Sequence, residues 1–269
     1  MELHLIDRGG FHADLNFGLD AETVATRTEP SPELRREYFP VWNLVIDHPD
    51  ATVLWDTGSH PEAGDGYWDE ELFDAFAHED ADERDLRTAL DEVGFAVEDI
   101  DAVVQSHLHI DHAGGLHNFE GTDVPVYVHR RELEHAYLCA KTGTGDAGYL
   151  AADFDRDLNW RVVHGDRQLL PGVDLLHLPG HTPGLLGAHI ERGGEEENGG
   201  GEDDVLIAGD VAFVSENYDE GREMSASLVH DSRAWRESRR RLTDIERRTD
   251  ATVLYGHDPE QFDDMPRRL

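Results

Sequence analysis

The chain has 269 residues, of which 38% are hydrophobic, enough for the core of a large layered α/β domain. It carries 59 acidic residues against 23 basic ones, for a formal charge of -36, and Lys141 is its only lysine. Such a balance excludes the basic footprint that nucleic acids and anionic membranes require, and it reads as the solvated acidic surface of a salt-adapted (halophilic) protein.

From the amino end, Met1 to Arg8 shows no basic n-region and no long apolar run, so neither a signal peptide nor a spanning helix is expected and the cytoplasm is the expected location. Val41 to Ile46 and Thr52 to Trp55 predict a strand pair joined by the turn His48-Pro49-Asp50-Ala51. Residues 60–80 suggest a loop and a short helix, and Glu83 to Val93 predicts a helix that Gly94 ends. Asp101 to Ser106 and Val124 to His129 predict short strands, and Arg130 to Cys139 a helix; Cys139 is the only cysteine, which excludes an intrachain disulfide. From Trp160 the pattern is mostly β, over 160–164, 167–170, 173–178 and 185–190. Residues 192–204 contain no apolar side chain and suggest a flexible acidic, Gly-rich hairpin tip inside a single domain spanning 1–269. The strand Val205 to Ala208, a helix over about 231–248 burying Trp235, Leu242 and Ile245, and the strand Thr252 to Tyr255 complete the series. The order suggests two sheets, each covered by helices.

His107-Leu108-His109-Ile110-Asp111-His112 is the chemical centre. In an extended segment residues two apart share a side, so His107 and His109 can grip one ion, while a turning backbone can aim Asp111 and His112 at a second. Imidazole and carboxylate suit zinc and similar divalent metals, and Gly114-Gly115 permits a tight turn nearby. His181, Asp210 and His257 each follow a short hydrophobic strand, bringing the candidates to seven. His4, His48, His78, His135 and His177 read as ordinary surface or core histidines.

This pattern resembles the metallo-β-lactamase superfamily and, more narrowly, the N-acyl homoserine lactonases. The similarity takes in Asp56-Thr57-Gly58, the Ser106 to Gly115 segment, Val126-Tyr127-Val128 with Arg131-Glu132, Pro179 to Gly184, and Tyr255 to Gln261. The resemblance implies a four-layered αβ/βα sandwich and two divalent metal ions, zinc first, with Mn2+, Co2+ or Fe2+ as alternatives. By position His107, His109 and His181 would hold the first metal, Asp111, His112 and His257 the second, and Asp210 would bridge them. Phe213 stands where the resembled lactonases carry a tyrosine whose hydroxyl meets the substrate carbonyl.

The implied activity is lactone opening by hydroxide, as on an N-acyl homoserine lactone, a quorum-quenching reaction with a small-molecule substrate. Asp111 is the expected proton carrier and Asp56 a candidate to orient a ligand histidine. Tyr67, Trp68, Phe73, Ile110 and Phe213 are candidates to line an acyl pocket. The alternatives are glyoxalase II-like thioester hydrolysis and, from another class, a mononuclear iron persulfide dioxygenase.

Overall fold

The computed structural model describes residues 1–145, 148–193 and 203–269. Among these, the first sheet takes six strands in sequential order: β1 (Glu2–Asp14), β2 (Arg36–His48), β3 (Ala51–Trp55), β4 (Ala102–Val104), β5 (Pro125–His129) and β6 (Asn159–Val163). The second takes β7 (Arg167–Leu170), β8 (Val173–His177), β9 (Leu186–Ile190), β10 (Val205–Gly209) and β11 (Thr252–Tyr255), each beside the next in chain order. The helices are α1 (Leu15–Gly18), α2 (Glu70–Ala75), α3 (Leu86–Glu92), α4 (Ile110–Ala113), α5 (Arg130–Thr142), α6 (Ala151–Phe154), α7 (Ser215–Asp219), α8 (Ser232–Thr249) and α9 (Pro259–Asp264). No helix among the described residues is long and apolar enough to cross a membrane.

Strand alternation builds the layers. In β3, Val53 and Trp55 face the second sheet, where they meet Leu175, Ala188 and Ile207, while Leu54 faces the helices. Leu54 shares its core with Leu86 and Leu90 of α3 and Ala136 of α5. On the far side Leu206 and Val253 pack against Trp235, Leu242 and Ile245, a stripe at helical spacing on α8. Helices, sheet, sheet and helix make the four-layered αβ/βα sandwich that the resemblance implies.

Three details depart from sequence expectation. β1 alternates at Leu3 and Leu5 and again at Phe11 and Ala13, but the pattern breaks between them, where Leu5 and Ile6 are both buried and the register shifts between Asp7 and Gly10. β4 ends at Val104, so the histidine segment continues as extended loop rather than strand. A terminal helix, α9, follows His257, capped by Asp258 with Pro259 in its first turn. Of the Gly-rich segment at 192–204, residues 194–202 lie outside the described residues; β9 and β10 on either side are antiparallel neighbours.

Candidate metal centre

The seven candidates sit beyond the carboxyl ends of four strands. β3 to β6 run parallel, and β8, β10 and β11 share one direction. Loops after β4, β8, β10 and β11 therefore open at one edge and deliver His107 to His112, His181, Asp210 and His257 to a common point.

His107 Nε2 lies 3.1 Å from His109 Nδ1, and His181 Nε2 lies 3.2 and 3.0 Å from those two atoms. Zinc–nitrogen bonds of about 2.0–2.1 Å set neighbouring tetrahedral donors roughly 3.3 Å apart, so this spacing fits one ion. The single turn of α4 aims Asp111 and His112 at a second group. Asp111 Oδ2 is 3.4 Å from both His112 Nε2 and His257 Nε2. Asp210 stands between the groups, with Oδ2 3.6 Å from His181 Nε2 and 3.4 Å from His257 Nε2, and Oδ1 3.7 Å from His112 Nε2.

The donor set shows what it is short of. His112 Nε2, His257 Nε2 and Asp210 Oδ1 are buried without a hydrogen-bond partner. Buried polar atoms without partners cost on the order of 1–3 kcal/mol each, so three converging ones suit a shared cation. Burial and the neighbouring His112 push His107 well below the ordinary histidine value, whereas the facing carboxylates of Asp111 and Asp210 hold His112 above it. Burial alone would raise Asp111 and Asp210, but the facing histidines hold both below the ordinary carboxylate range.

The rings are oriented from behind. Asp56 Oδ2 lies 3.0 Å from His112 Nδ1, while Asp56 Oδ1 accepts the Ser106 amide. His257 Nδ1 lies 2.9 Å from the Pro40 carbonyl, and His181 Nδ1 2.5 Å from that of Leu228. Gly114 and Gly115 serve close approach rather than an unusual turn. A Cβ on Gly114 would meet the His60 amide nitrogen at 2.1 Å, and one on Gly115 the Thr57 carbonyl oxygen at 2.4 Å.

The centre opens into a cavity of about 520 Å³ whose floor includes His109, Asp111, His181 and Asp210. Its apolar wall includes Phe11, Phe17, Trp68, Phe76, Ile110 and Phe213. Of the five sequence candidates for an acyl pocket, Trp68, Ile110 and Phe213 line this cavity. Tyr67 and Phe73 are not among the lining residues. The Tyr67 hydroxyl donates to Asp153 and its ring stacks 3.6 Å from that of His60, while Phe73 packs against Trp68 from outside. His135, read from sequence as an ordinary histidine, lines the cavity. Phe11 and Phe17 carry no motif that ties them to the site. Glu132 is fully buried behind the histidines, although only its place in a resembled segment singled it out.

A family model described as the metallo-beta-lactamase superfamily matches residues 36–257. The chain is 32% identical to N-acyl homoserine lactonase AiiB of Agrobacterium fabrum, over 97% of this chain and 95% of that one. It is 31% identical to an N-acyl homoserine lactonase of Bacillus cereus, over 90% of each. Among solved structures, an N-acyl homoserine lactone hydrolase with the product N-hexanoyl-L-homoserine at its catalytic metal centre matches with a TM-score of 0.78. That match is 27% identical and covers 98% of this chain and 96% of that one.

Proposed function

We propose, from the premise that this chain belongs to the metallo-beta-lactamase superfamily, that it is a dinuclear metal-dependent hydrolase that opens the ring of N-acyl homoserine lactones. The observation that carries the reading is the pair of ligand groups with Asp210 between them, at the floor of an apolar cavity.

His107, His109 and His181 would hold one ion and Asp111, His112 and His257 the other, with Asp210 between them. When bound, two divalent ions supply Lewis acidity toward a carbonyl and make water a competent nucleophile near neutral pH. The rest falls to the chain's own residues. The aromatic wall accepts an acyl chain and excludes water from the floor. Asp111 faces both the cavity and the second ligand group, so its carboxylate is placed to carry a proton toward the alkoxide released on ring opening. Phe213 has no hydroxyl to donate, which leaves carbonyl polarisation to the centre itself. Imidazole-rich ligands with shared carboxylates favour zinc, with Mn2+, Co2+ and Fe2+ as the other ions of suitable chemistry. The acidity fits an enzyme working in a salt-rich cytoplasm on a small molecule, as one unit across its length.

The test is a hydrolysis screen of lactones, thioesters and aryl esters in molar salt with added zinc, manganese or cobalt, paired with elemental analysis. Lactone opening by protein holding two ions per chain is the expected result. A ceiling of one ion, or thioesters far ahead of lactones, would overturn it.

A further inference from the structure

Glu132 belongs to neither ligand group and does not line the cavity, yet it is 0% exposed. It sits in the first turn of α5, which contributes no candidate ligand. Burial raises its carboxyl above the ordinary range. A carboxyl group taken out of water is tolerated only when donors replace its hydration, and here four do. Oε1 accepts from the Leu108 amide at 3.1 Å and the Tyr149 hydroxyl at 2.8 Å. Oε2 accepts from the Thr182 hydroxyl at 2.6 Å and the Gly184 amide at 3.3 Å.

Each donor touches the flank of a ligand. Leu108 separates His107 from His109, and Thr182 follows His181. The ring of Tyr149, held by its hydroxyl to Glu132, lies 4.5 Å from that of His109. The turn carrying His181 is packed so closely on α5 that a Cβ on Gly184 would come 2.2 Å from the Glu132 amide nitrogen. One carboxyl group therefore ties together the two loops that supply all three histidines of the first group. The second group has separate anchors, Asp56 behind His112 and the Pro40 carbonyl behind His257.

We propose that Glu132 is a positioning residue for the His107–His109–His181 group and sets that group's metal affinity without setting that of Asp111–His112–His257. The inference rests on the ligand assignment above and not on the identity of the substrate.

The experiment isolates each group. His257→Ala leaves the first group intact and His181→Ala leaves the second; Glu132→Gln is added to each. The amide nitrogen that replaces one oxygen cannot accept, so donors that now converge on a carboxyl group would face another donor. Zinc affinity by chelator competition should fall about 10–100-fold in the His257→Ala background. It should stay unchanged in the His181→Ala background. With cobalt bound, the visible absorption of the His257→Ala protein should shift on adding Glu132→Gln, a signature that loss of general stability does not produce. If Glu132→Gln does not fold, Thr182→Val and Tyr149→Phe, each removing one donor, should weaken the first group alone by the same assay. Equal weakening of both groups, or no weakening with an unchanged cobalt spectrum, overturns the proposal. Failure of the ligand assignment reads differently: His181→Ala and His257→Ala would then keep the parent's metal count, and the role of Glu132 would fall with it.

Discussion

His112 Nδ1 lies 3.0 Å from Asp56 Oδ2, and that same oxygen accepts the Ser106 hydroxyl at 2.6 Å. Asp56 holds this position at the end of β3 with a φ of 57°, a left-handed conformation that few side chains other than Asp and Asn adopt readily. The contact turns His112 so that its other nitrogen faces Asp111 and Asp210.

Asp56→Asn should therefore act through metal binding. Its amide can keep one accepted bond but turns a donor toward His112 or Ser106. We expect metal affinity or activity to fall about 10–100-fold, as for other partners of ligand histidines. Chelator competition on the folded variant measures it, and parental affinity would reduce Asp56 to a strand-end cap.

Asp111→Asn should damage turnover more than metal content. The amide retains an oxygen toward His112 and His257 but cannot carry a proton at neutral pH. General acid–base groups contribute about 10²–10⁴-fold, and the kcat loss should lie in that range with lactones. Aryl esters with good leaving groups should show much less. Metal loss that accounts for the whole defect would make Asp111 a ligand only.

Phe213 is 3% exposed, with its ring 4.4 Å from that of His257 and 5.0 Å from that of Phe39. Phe213→Tyr adds the hydroxyl that the resemblance leads one to expect at this position. A donor aimed at developing charge is worth on the order of 1 kcal/mol or more, so kcat/KM for lactones should rise several-fold. If parent and variant both fail on short- and long-chain lactones with metals loaded, the lactone reading is lost and the dinuclear hydrolase stands.

The Asp153 carboxyl, beneath Tyr67, is pushed by burial from 3.8 up to about 7 despite the Tyr67 hydrogen bond and the Arg156 charge. Its Oδ2 has no partner. The folded state thus holds this proton more tightly than the unfolded state does. The stability it contributes is present below about pH 4 and is lost as pH rises toward 7. Asp153→Asn removes that dependence, so the variant's melting temperature should gain on the parent's across this window and stay ahead above it. Parallel curves at fixed salt would show that Asp153 does not titrate there.

A formal charge of -36 should make the fold repel itself in dilute buffer. At molar salt the Debye length contracts to about 3 Å and screens that repulsion. Melting temperature should climb through a potassium chloride series. A flat series would remove salt adaptation as the reason for the acidity.

What the sequence by itself determined is local. The histidine segment, the strands before His181, Asp210 and His257, and the apolar stripe of α8 are patterns within a few residues of one another, where backbone geometry alone dictates which side chains share a face. β1 is hard to read because the break between Asp7 and Gly10 leaves only two short alternating stretches. Whether Tyr67 or Trp68 faces the cavity could not be read from two adjacent aromatics. Glu132 looks in sequence like any solvated acid in a helix's first turn. Only the packing of the Leu108 and Thr182 loops onto α5 buries it, and only the convergence of the segments holding Phe11, Trp68 and Phe213 makes a cavity. Burial depends on neighbours distant in the chain, and no local periodicity encodes which distant segments will supply them.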